Sequence, residues 1–317
     1  MTILSVNGGR RMKRLANKLK YGDVIGVVGV SNSLALNNRF DIFKKAETFL
    51  LNKGFRIKFG KYITEDYYGS CGTREQKAED FMNMFMDDEV KMIICLEGGE
   101  TCNTFIDLLD YDKIKKHPKI LLGYSDITVL LQTIYKKTGL ITFSGPDFLA
   151  FGLNYAEEQY KVFEDAFINK RLDKFEKGAK KVIRMGNSTG KIIGTNLGCM
   201  MYLIGTNYLP KMKNSILFIE SYKTSPNECQ RRFAHLKQSG IFDKINGVII
   251  GYNYDLQKDG NKYPQMEDIL LLYTKEYHFP IIKCNEFGHK IVNSIIPIGT
   301  DIKIDDEKVT IIGEFLN

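Results

Sequence analysis

Ser125 lies where a serine side chain could act as a nucleophile. In the segment KILLGYSDIT (119–128), an apolar run ends at Gly123, and apolar residues at helical spacing follow Asp126. A serine on a turn between a strand and a helix can be held at the edge of a sheet for attack on a carbonyl, or it can simply cap the helix. Because Ile127 stands where the G-x-S-x-G pattern has its second glycine, Ser125 alone leaves both interpretations open.

A glutamate and a histidine later in the chain have the side chains that a serine nucleophile needs. Glu220 ends the apolar run SILFIE, and a carboxylate directly after a buried strand is costly unless it is paired. It could pair with Arg231 or Arg232, or it could orient a histidine. His289 follows in the loop segment NEFGHK, so the order Ser125, Glu220, His289 supplies all three members of a serine-type triad. The other histidines fit this role less well, because they lie near prolines or on an amphipathic helix: His117, His278 and His235.

Two glycines follow another apolar strand signal. The segment VKMIICLEGG ends in Gly98 and Gly99, and the helical pattern TCNTFIDLLD comes next. The pair can form a tight turn between strand and helix. It can also serve as an oxyanion hole, because glycines let bare N–H groups approach a reacting carbonyl. The segment GDVIGVVGVS, in contrast, lacks G-x-G-x-x-G, and the sequence contains no P-loop, so we favour a strand and turn there over a nucleotide site.

The elements that must position these residues alternate between strand and helix signals. Such alternation predicts a parallel sheet covered on both faces, with active sites at the carboxyl ends of the strands. The glycine pair and Ser125 both follow such ends. The strand signals are DVIGVVGV (23–30), RIKFGKYI (56–63), VKMIICLEGG (90–99) and KILLG (119–123). The helix signals between them are NNRFDIFKKAETFLLNKG (37–54), TREQKAEDFMNMFMDD (73–88) and TCNTFIDLLD (101–110).

The sequence predicts an α/β protein of two domains. We expect an N-terminal, flavodoxin-like βα domain with a parallel sheet over residues 1–170, which carries the serine. A charged crossover linker over 171–190 would lead to a strand-rich C-terminal α/β domain over 191–317, which carries the glutamate and the histidine. The length of 317 residues favours two domains over one, and 44% hydrophobic residues are enough for a full core.

Composition and charge argue against several classes of protein. The net charge is +7, but Lys and Arg are interleaved with Asp and Glu, which indicates a solvated surface rather than a nucleic-acid-binding stripe. We find neither a run of about 18 apolar residues nor the apolar core of a signal peptide, so we expect no membrane span and predict a cytoplasmic protein. The six cysteines form no C-x-x-C, and no histidine lies in a zinc-ligand pattern, so we expect no metal site.

Several segments, taken in chain order, resemble one known family. They are the EGG turn, GYSDIT followed by KTGLITFSGP, GTNLGCMMYLIGT, LFIESY and FGHK. From about Lys18 onward, the chain resembles the LD-carboxypeptidase and microcin C immunity family of serine peptidases. The resemblance implies a two-domain architecture and often a homodimer.

The same resemblance implies a Ser-Glu-His triad and assigns its members. The motif positions carry over to Ser125, Glu220 and His289. The turn at Gly98 and Gly99, together with the N–H of Asp126, would form the oxyanion hole. Ser125 would then attack a carbonyl, an acyl-enzyme would form, and water would resolve it without a metal or an organic cofactor.

Within the family, the chain is more similar to the microcin immunity branch. The muropeptide branch usually shows Gly-Gly-Tyr-Gly, whereas this chain has Glu100 and Thr101 after its two glycines. Three features depart from the family. The chain has no tryptophan on which a nucleotide-like substrate could stack, and Thr195 stands where a second glycine is more usual. Residues 1–11 have no counterpart, so Met12 looks like a natural start. The nearest aromatic residues could replace the tryptophan or could pack a helix onto the sheet: Phe148, Phe151, Tyr155 and Tyr160.

The sequence therefore predicts a serine carboxypeptidase-type hydrolase that cleaves an amide bond in a small peptide-like substrate. An immunity-type hydrolase of aminoacyl-nucleotide conjugates is the first alternative, and a non-catalytic ligand-binding protein of the same fold is the second. The expected partners are a small peptide or aminoacyl-conjugate substrate and a second copy of the chain, with no nucleic acid and no membrane. The choice between muropeptide and aminoacyl-nucleotide conjugate is left open by the sequence.

Overall fold

The computed structural model describes residues 13–260 and 264–317. The start proposed at Met12 and the unmatched residues 1–11 lie outside this part of the chain. The strands are β1 Val24–Val28, β2 Arg56–Phe59, β3 Val90–Cys95, β4 Ile120–Gly123, β5 Thr142–Ser144, β6 Lys181–Arg184, β7 Asn187–Asn196, β8 Ser215–Glu220, β9 Ile245–Tyr252, β10 Ile281–Gly288, β11 Ile296–Ile298, β12 Asp301–Asp305 and β13 Lys308–Ile311. The α-helices are α1 Phe40–Asn52, α2 Arg74–Met86, α3 Tyr111–Lys116, α4 Thr128–Thr138, α5 Ala156–Phe167, α6 Asp173–Lys177, α7 Leu197–Met200, α8 Pro226–Gln238, α9 Tyr254–Gln257 and α10 Met266–Tyr273.

The first sheet has the strand order β11-β5-β4-β3-β1-β2. Its members β2, β1, β3, β4 and β5 run parallel to their neighbours, and β11 pairs antiparallel with β5. All residues of β1 and β4 are buried, as expected for central strands covered on both faces. The parallel sheet predicted for the N-terminal half is thereby confirmed.

The second sheet has the strand order β13-β12-β7-β8-β9-β10-β6. Strands β7 to β10 are parallel to one another, whereas β12, β13 and β6 add antiparallel edges. This mixed, strand-rich architecture agrees with the α/β fold predicted for the C-terminal half. The segment 171–190, treated above as a crossover, contains α6 and β6 as well as the start of β7.

Strand β11 ties the two halves of the chain together. After β10 in the second sheet, the chain passes through residues 289–295, contributes β11 to the edge of the first sheet, and returns to the second sheet as β12. One hydrophobic cluster also spans both halves, from Val24 to Val309. The domain boundaries stay a prediction, but the loop after β10 is anchored at both ends by strands of different sheets.

Two sequence signals give shorter elements than expected. The predicted strand over 56–63 ends at Phe59, because the N–H groups of Lys61 and Tyr62 are bound by the Asp80 carboxylate at 2.9 and 2.8 Å. The predicted helix over 101–110 forms two 3-10 turns instead, Cys102–Thr104 and Ile106–Leu108. In the second case, the N–H of Cys102 donates to the Asp126 carboxylate at 2.8 Å, so the segment is tied to the turn of Ser125.

Candidate active site

Ser125 begins a 3-10 turn between β4 and α4, and its backbone φ is +61°. For a residue with a Cβ, this left-handed conformation costs about 1–2 kcal/mol, so the surrounding structure must hold it in place. The serine side chain caps neither this turn nor α4, because neither helix start receives a side-chain cap hydrogen bond. The capping interpretation is therefore wrong, and the hydroxyl points elsewhere.

The Ser125 hydroxyl lies 3.0 Å from Nε2 of His289. On the other side of the imidazole, Nδ1 lies 2.7 Å from Oε2 of Glu220. His289 and Glu220 are 6% and 2% exposed, which shields both hydrogen bonds from water. The three residues singled out in the sequence thus form one continuous hydrogen-bonded chain.

The two halves of the molecule supply different parts of this chain. Ser125 follows β4 in the first sheet, whereas Glu220 is the last residue of β8 in the second. His289 directly follows β10, at the start of the loop that leads back to the first sheet. The anchored loop therefore carries the imidazole to the junction, where it bridges the hydroxyl and the carboxylate.

Asn196 completes the surroundings of Glu220. Its Nδ2 donates to Oε1 of Glu220 at 2.9 Å, so each carboxylate oxygen has a partner. Parallel pairing of β7 and β8 places these two residues opposite each other. Arg231 and Arg232, considered above as partners of Glu220, instead lie 3.9 and 3.3 Å from Glu228. The sequence analysis missed the role of Asn196. Asn196 is the last residue of β7, as Glu220 is of β8, and this shared position at neighbouring strand ends could have indicated their contact.

Two tyrosines flank the imidazole. The ring of Tyr222 stacks on His289 with centroids 4.5 Å apart and an interplanar angle of 7°. Tyr124 lies with its centroid 5.0 Å from that of His289 and is tilted by 46°. These contacts restrict rotation of the imidazole. Neither was foreseen, because stacking depends on a tertiary placement that the residue pattern does not specify.

The glycine turn lies directly against Ser125. A Cβ at Gly98 would be 2.9 Å from the Ser125 Cβ, and a Cβ at Gly99 would be 2.2 Å from Oδ1 of Asn32. Both positions therefore require glycine. In the described part of the chain, the N–H of Gly99 donates to no protein acceptor.

The side chain of Asp126 fixes the backbone around this turn. Its Oδ2 accepts from the Ser31 hydroxyl at 2.6 Å and from the N–H of Cys102 at 2.8 Å. Burial raises the pKa of Asp126, while these donors lower it. The aspartate therefore links three loops at the carboxyl edge of the first sheet, and its backbone nitrogen lies 3.5 Å from where a Cβ at Gly98 would be.

The aromatic residues proposed as substitutes for a tryptophan mostly pack in the core. Phe148 and Phe151 are 0% and 1% exposed, and Tyr160 is 6% exposed. Only Tyr155 is half-buried. The packing interpretation is thus correct for three of the four residues.

Within residues 13–260 and 264–317, no cluster of three or more His, Cys, Asp or Glu side chains could hold a metal ion. In the same part of the chain, no helix is both long and apolar enough to cross a bilayer.

Comparison with known proteins gives consistent matches along the chain. The family model of the LD-carboxypeptidase N-terminal domain matches residues 25–145, and that of the LD-carboxypeptidase C-terminal domain matches residues 189–304. The putative carboxypeptidase YocD of Bacillus subtilis (strain 168) is 33% identical over 92% of this chain and 95% of its own length. The microcin C7 self-immunity protein MccF of Escherichia coli is 29% identical over 96% of this chain and 97% of its own length.

Solved structures show the same similarity. The structure of MccF in complex with glutamyl sulfamoyl guanosine superposes with a TM-score of 0.87 at 27% identity. The superposition covers 96% of this chain and 99% of that chain, so both sheets and the junction between them are included.

Proposed function

We propose that this chain, which belongs to the LD-carboxypeptidase family, cleaves an amide bond in a small peptide-like substrate with Ser125 as the nucleophile. Family membership makes it a peptidase-type hydrolase of the LD-carboxypeptidase and microcin immunity group. The observation that carries the proposed mechanism is the continuous hydrogen-bonded chain, 3.0 Å from Ser125 to His289 and 2.7 Å from His289 to Glu220.

The proposed reaction begins with proton transfer from the Ser125 hydroxyl to Nε2 of His289, as the serine oxygen bonds to the substrate carbonyl carbon. Glu220 holds the imidazole by its Nδ1–H and stabilises the positive charge that forms. His289 then gives the proton to the leaving amine, and the C–N bond breaks. Water attacks the acyl-enzyme with His289 again as base, which releases the acid and restores the serine.

The oxyanion formed in both steps needs backbone donors. We assign this role to the N–H groups of Gly99 and Asp126, at the edge where the nucleophile lies. The N–H of Gly98 instead stabilises the Asp147 carboxylate, so Gly98 contributes mainly by leaving space beside Ser125. Loss of one such donor typically costs about 10²–10³ in kcat.

Hydrolysis of an aminoacyl-nucleotide conjugate is the second candidate function. The structure of MccF in complex with glutamyl sulfamoyl guanosine favours it, because that structure superposes on this chain with a TM-score of 0.87. Against it, the chain has no tryptophan, and Phe148 and Phe151 are buried in the core. Stacking of a base on an aromatic ring is worth about 1–3 kcal/mol, so we favour the peptide-like substrate.

Assembly as a homodimer and a cytoplasmic location belong to the same proposal.

The test compares kcat/KM for a peptide with a C-terminal D-alanine and for glutamyl sulfamoyl guanosine. We expect faster turnover of the peptide, and loss of turnover by a factor of about 10⁴–10⁶ in Ser125→Ala with an unchanged circular dichroism spectrum. A tenfold preference for the conjugate would replace the first candidate by the second. Retention of more than about a tenth of the activity in Ser125→Ala would refute the role of Ser125.

A further inference from the structure

Gln159 is a buried glutamine that links the two halves of the molecule. It lies in the first turn of α5, in the N-terminal half, and is 0% exposed. Its Nε2 donates to the carbonyl of Asn293 at 2.9 Å, and its Oε1 accepts from the N–H of the same residue at 2.8 Å. Asn293 lies in the loop after β10 that carries His289. One side chain of the first half therefore binds both backbone polar groups of a residue in this loop.

The side chain of Asn293 extends this attachment to the histidine. Its Oδ1 accepts from the N–H of Gly288 at 2.8 Å, and Gly288 directly precedes His289. A Cβ at Gly288 would lie 2.2 Å from the carbonyl oxygen of Tyr252, so Gly288 also lies close against β9. Asn293 is buried, which shields these hydrogen bonds from water. The contacts thus run from α5 through Asn293 to the residue before the histidine.

The position of the imidazole depends on the backbone that carries it. The ring of His289 must reach Ser125 at 3.0 Å on one side and Glu220 at 2.7 Å on the other. These two partners belong to different halves of the molecule, so the backbone at His289 must be fixed relative to both. Strand β10 fixes it relative to the second sheet, and the contact with Gln159 fixes it relative to the first half. A misplacement of about 1 Å can lower a rate about a hundredfold.

A second buried glutamine has the opposite surroundings. Gln132 on α4 is also 0% exposed, yet neither its Oε1 nor its Nε2 has a hydrogen-bond partner within the residues that the structure describes. Replacing an unpaired, buried polar group by an apolar one does not remove a hydrogen bond. Gln159, in contrast, pairs two backbone groups of Asn293 in a buried place, where unpaired groups are costly. Gln132 is therefore a matched control for Gln159.

We propose that Gln159 and Asn293 are positioning residues for the His289 imidazole. They act through the backbone of the loop after β10 and hold the ring between its two partners. This inference rests on the proposed function, in which His289 is the base. The amide of Gln159 suits this role because it has one donor and one acceptor side by side, which match the C=O and the N–H of a single residue.

The first test replaces each of the two glutamines by methionine, which has a similar length but no amide. In Gln159→Met, we expect kcat for a peptide with a C-terminal D-alanine to fall about ten- to a hundredfold, while KM stays within about threefold. Gln132→Met should keep both constants within about twofold. Circular dichroism checks that the variants are folded. A kcat within about twofold of the original in folded Gln159→Met, or an equal loss in Gln132→Met, would overturn the role of Gln159.

Asn293 offers a second pair of variants, which keeps the proposal testable if Gln159→Met does not fold. Asn293→Asp keeps an acceptor for the N–H of Gly288, whereas Asn293→Leu has a similar shape and removes it. Neither substitution changes the backbone groups that Gln159 binds. We expect kcat to fall about ten- to a hundredfold in Asn293→Leu and to stay within about threefold in Asn293→Asp. Equal losses in the two variants would show that the acceptor does not position the histidine.

Proton NMR separates positioning from general damage, and it needs no turnover. The Nδ1–H of His289, which is buried and bound to Glu220, should give a downfield resonance that is assigned by its loss in His289→Ala. We expect this resonance to broaden or disappear in Gln159→Met and in Asn293→Leu, and to persist in Gln132→Met.

An unchanged resonance in both Gln159→Met and Asn293→Leu would overturn the positioning role. The proposed function is tested separately, because the resonance reports the His289–Glu220 contact whether or not a peptide is cleaved. A resonance that responds to these substitutions in a protein without hydrolytic activity would support the positioning role and count against the proposed function alone.

Discussion

Glu220 and Glu97 both lie at the carboxyl ends of buried parallel strands, one in each half of the molecule, yet their surroundings differ. Both oxygens of Glu220 have partners, at 2.7 Å from His289 and 2.9 Å from Asn196. Glu97 has a guanidinium at 3.5 Å and one buried oxygen without any partner. A carboxylate whose two oxygens are paired with protein groups holds those groups in place, whereas a buried carboxylate oxygen without a donor lowers the stability of the fold.

The largest effect expected from this difference concerns Glu220. Glu220→Gln should lower kcat by about 10³–10⁴, because an amide cannot stabilise the imidazolium or fix its tautomer. The same substitution at Glu97 should cost far less, because Glu97 makes no hydrogen bond to Ser125, His289 or Glu220. Steady-state kinetics with Glu228→Gln as the control, a glutamate paired with Arg232 on α8, measures both effects. Equal losses at Glu220 and Glu97 would mean that the two sites do not differ in function.

A smaller effect concerns the pH dependence of stability at Glu97. Its pKa in the folded protein is raised to about 7 by burial and by Asp147. The folded state therefore binds more protons than the unfolded state between about pH 4.5 and 7, and stability falls as the pH rises through this window. Glu97→Gln should remove part of the fall and raise the free energy of unfolding at pH 8 by about 1–3 kcal/mol.

Urea denaturation at about pH 4.5 and pH 8 measures this change, since the difference between variants should be absent at the lower pH. Glu65→Gln, at an exposed position, is the matched control. If Glu97→Gln were equally stabilising at both pH values, or destabilising at pH 8, the carboxyl group would be well accommodated and the comparison with Glu220 would lose its basis.

The smallest effect concerns the stacked tyrosine that supports the Glu220 side of the site. Tyr222→Leu removes the ring that lies 4.5 Å from the imidazole and should lower kcat about three- to tenfold, in the range expected for one aromatic contact. Tyr222→Phe keeps the ring and should stay within about twofold of the original rate. Equal losses in the two variants would assign the effect to the hydroxyl group and not to stacking.

The sequence predicted the parallel sheet, the strand-rich second half and the three residues that the structure brings together. It did so because buried strands leave apolar runs, and because Ser125, Glu220 and His289 each stand at the end of such a run or in the loop after one. The capping alternative for Ser125 could be rejected only with the structure, since residue types do not show that the hydroxyl caps neither helix and instead contacts His289.

What the sequence did not reveal depends on pairing between distant strands. Asn196 faces Glu220 only because β7 and β8 are in register. Arg39, Glu97 and Asp147 meet only because three different strands end at one edge. The two 3-10 turns that replaced the helix predicted over 101–110 follow from a hydrogen bond between Cys102 and Asp126, which are 24 residues apart.

The most direct test of the account asks whether Ser125 is a nucleophile activated through His289 and Glu220. The protein is treated with a fluorophosphonate, and the adduct is located and timed by mass spectrometry. We expect one adduct, on Ser125, formed at least a hundredfold more slowly in Glu220→Gln and at an unchanged rate in Glu65→Gln. An adduct on another residue, no adduct at all, or an undiminished rate in Glu220→Gln would contradict the account.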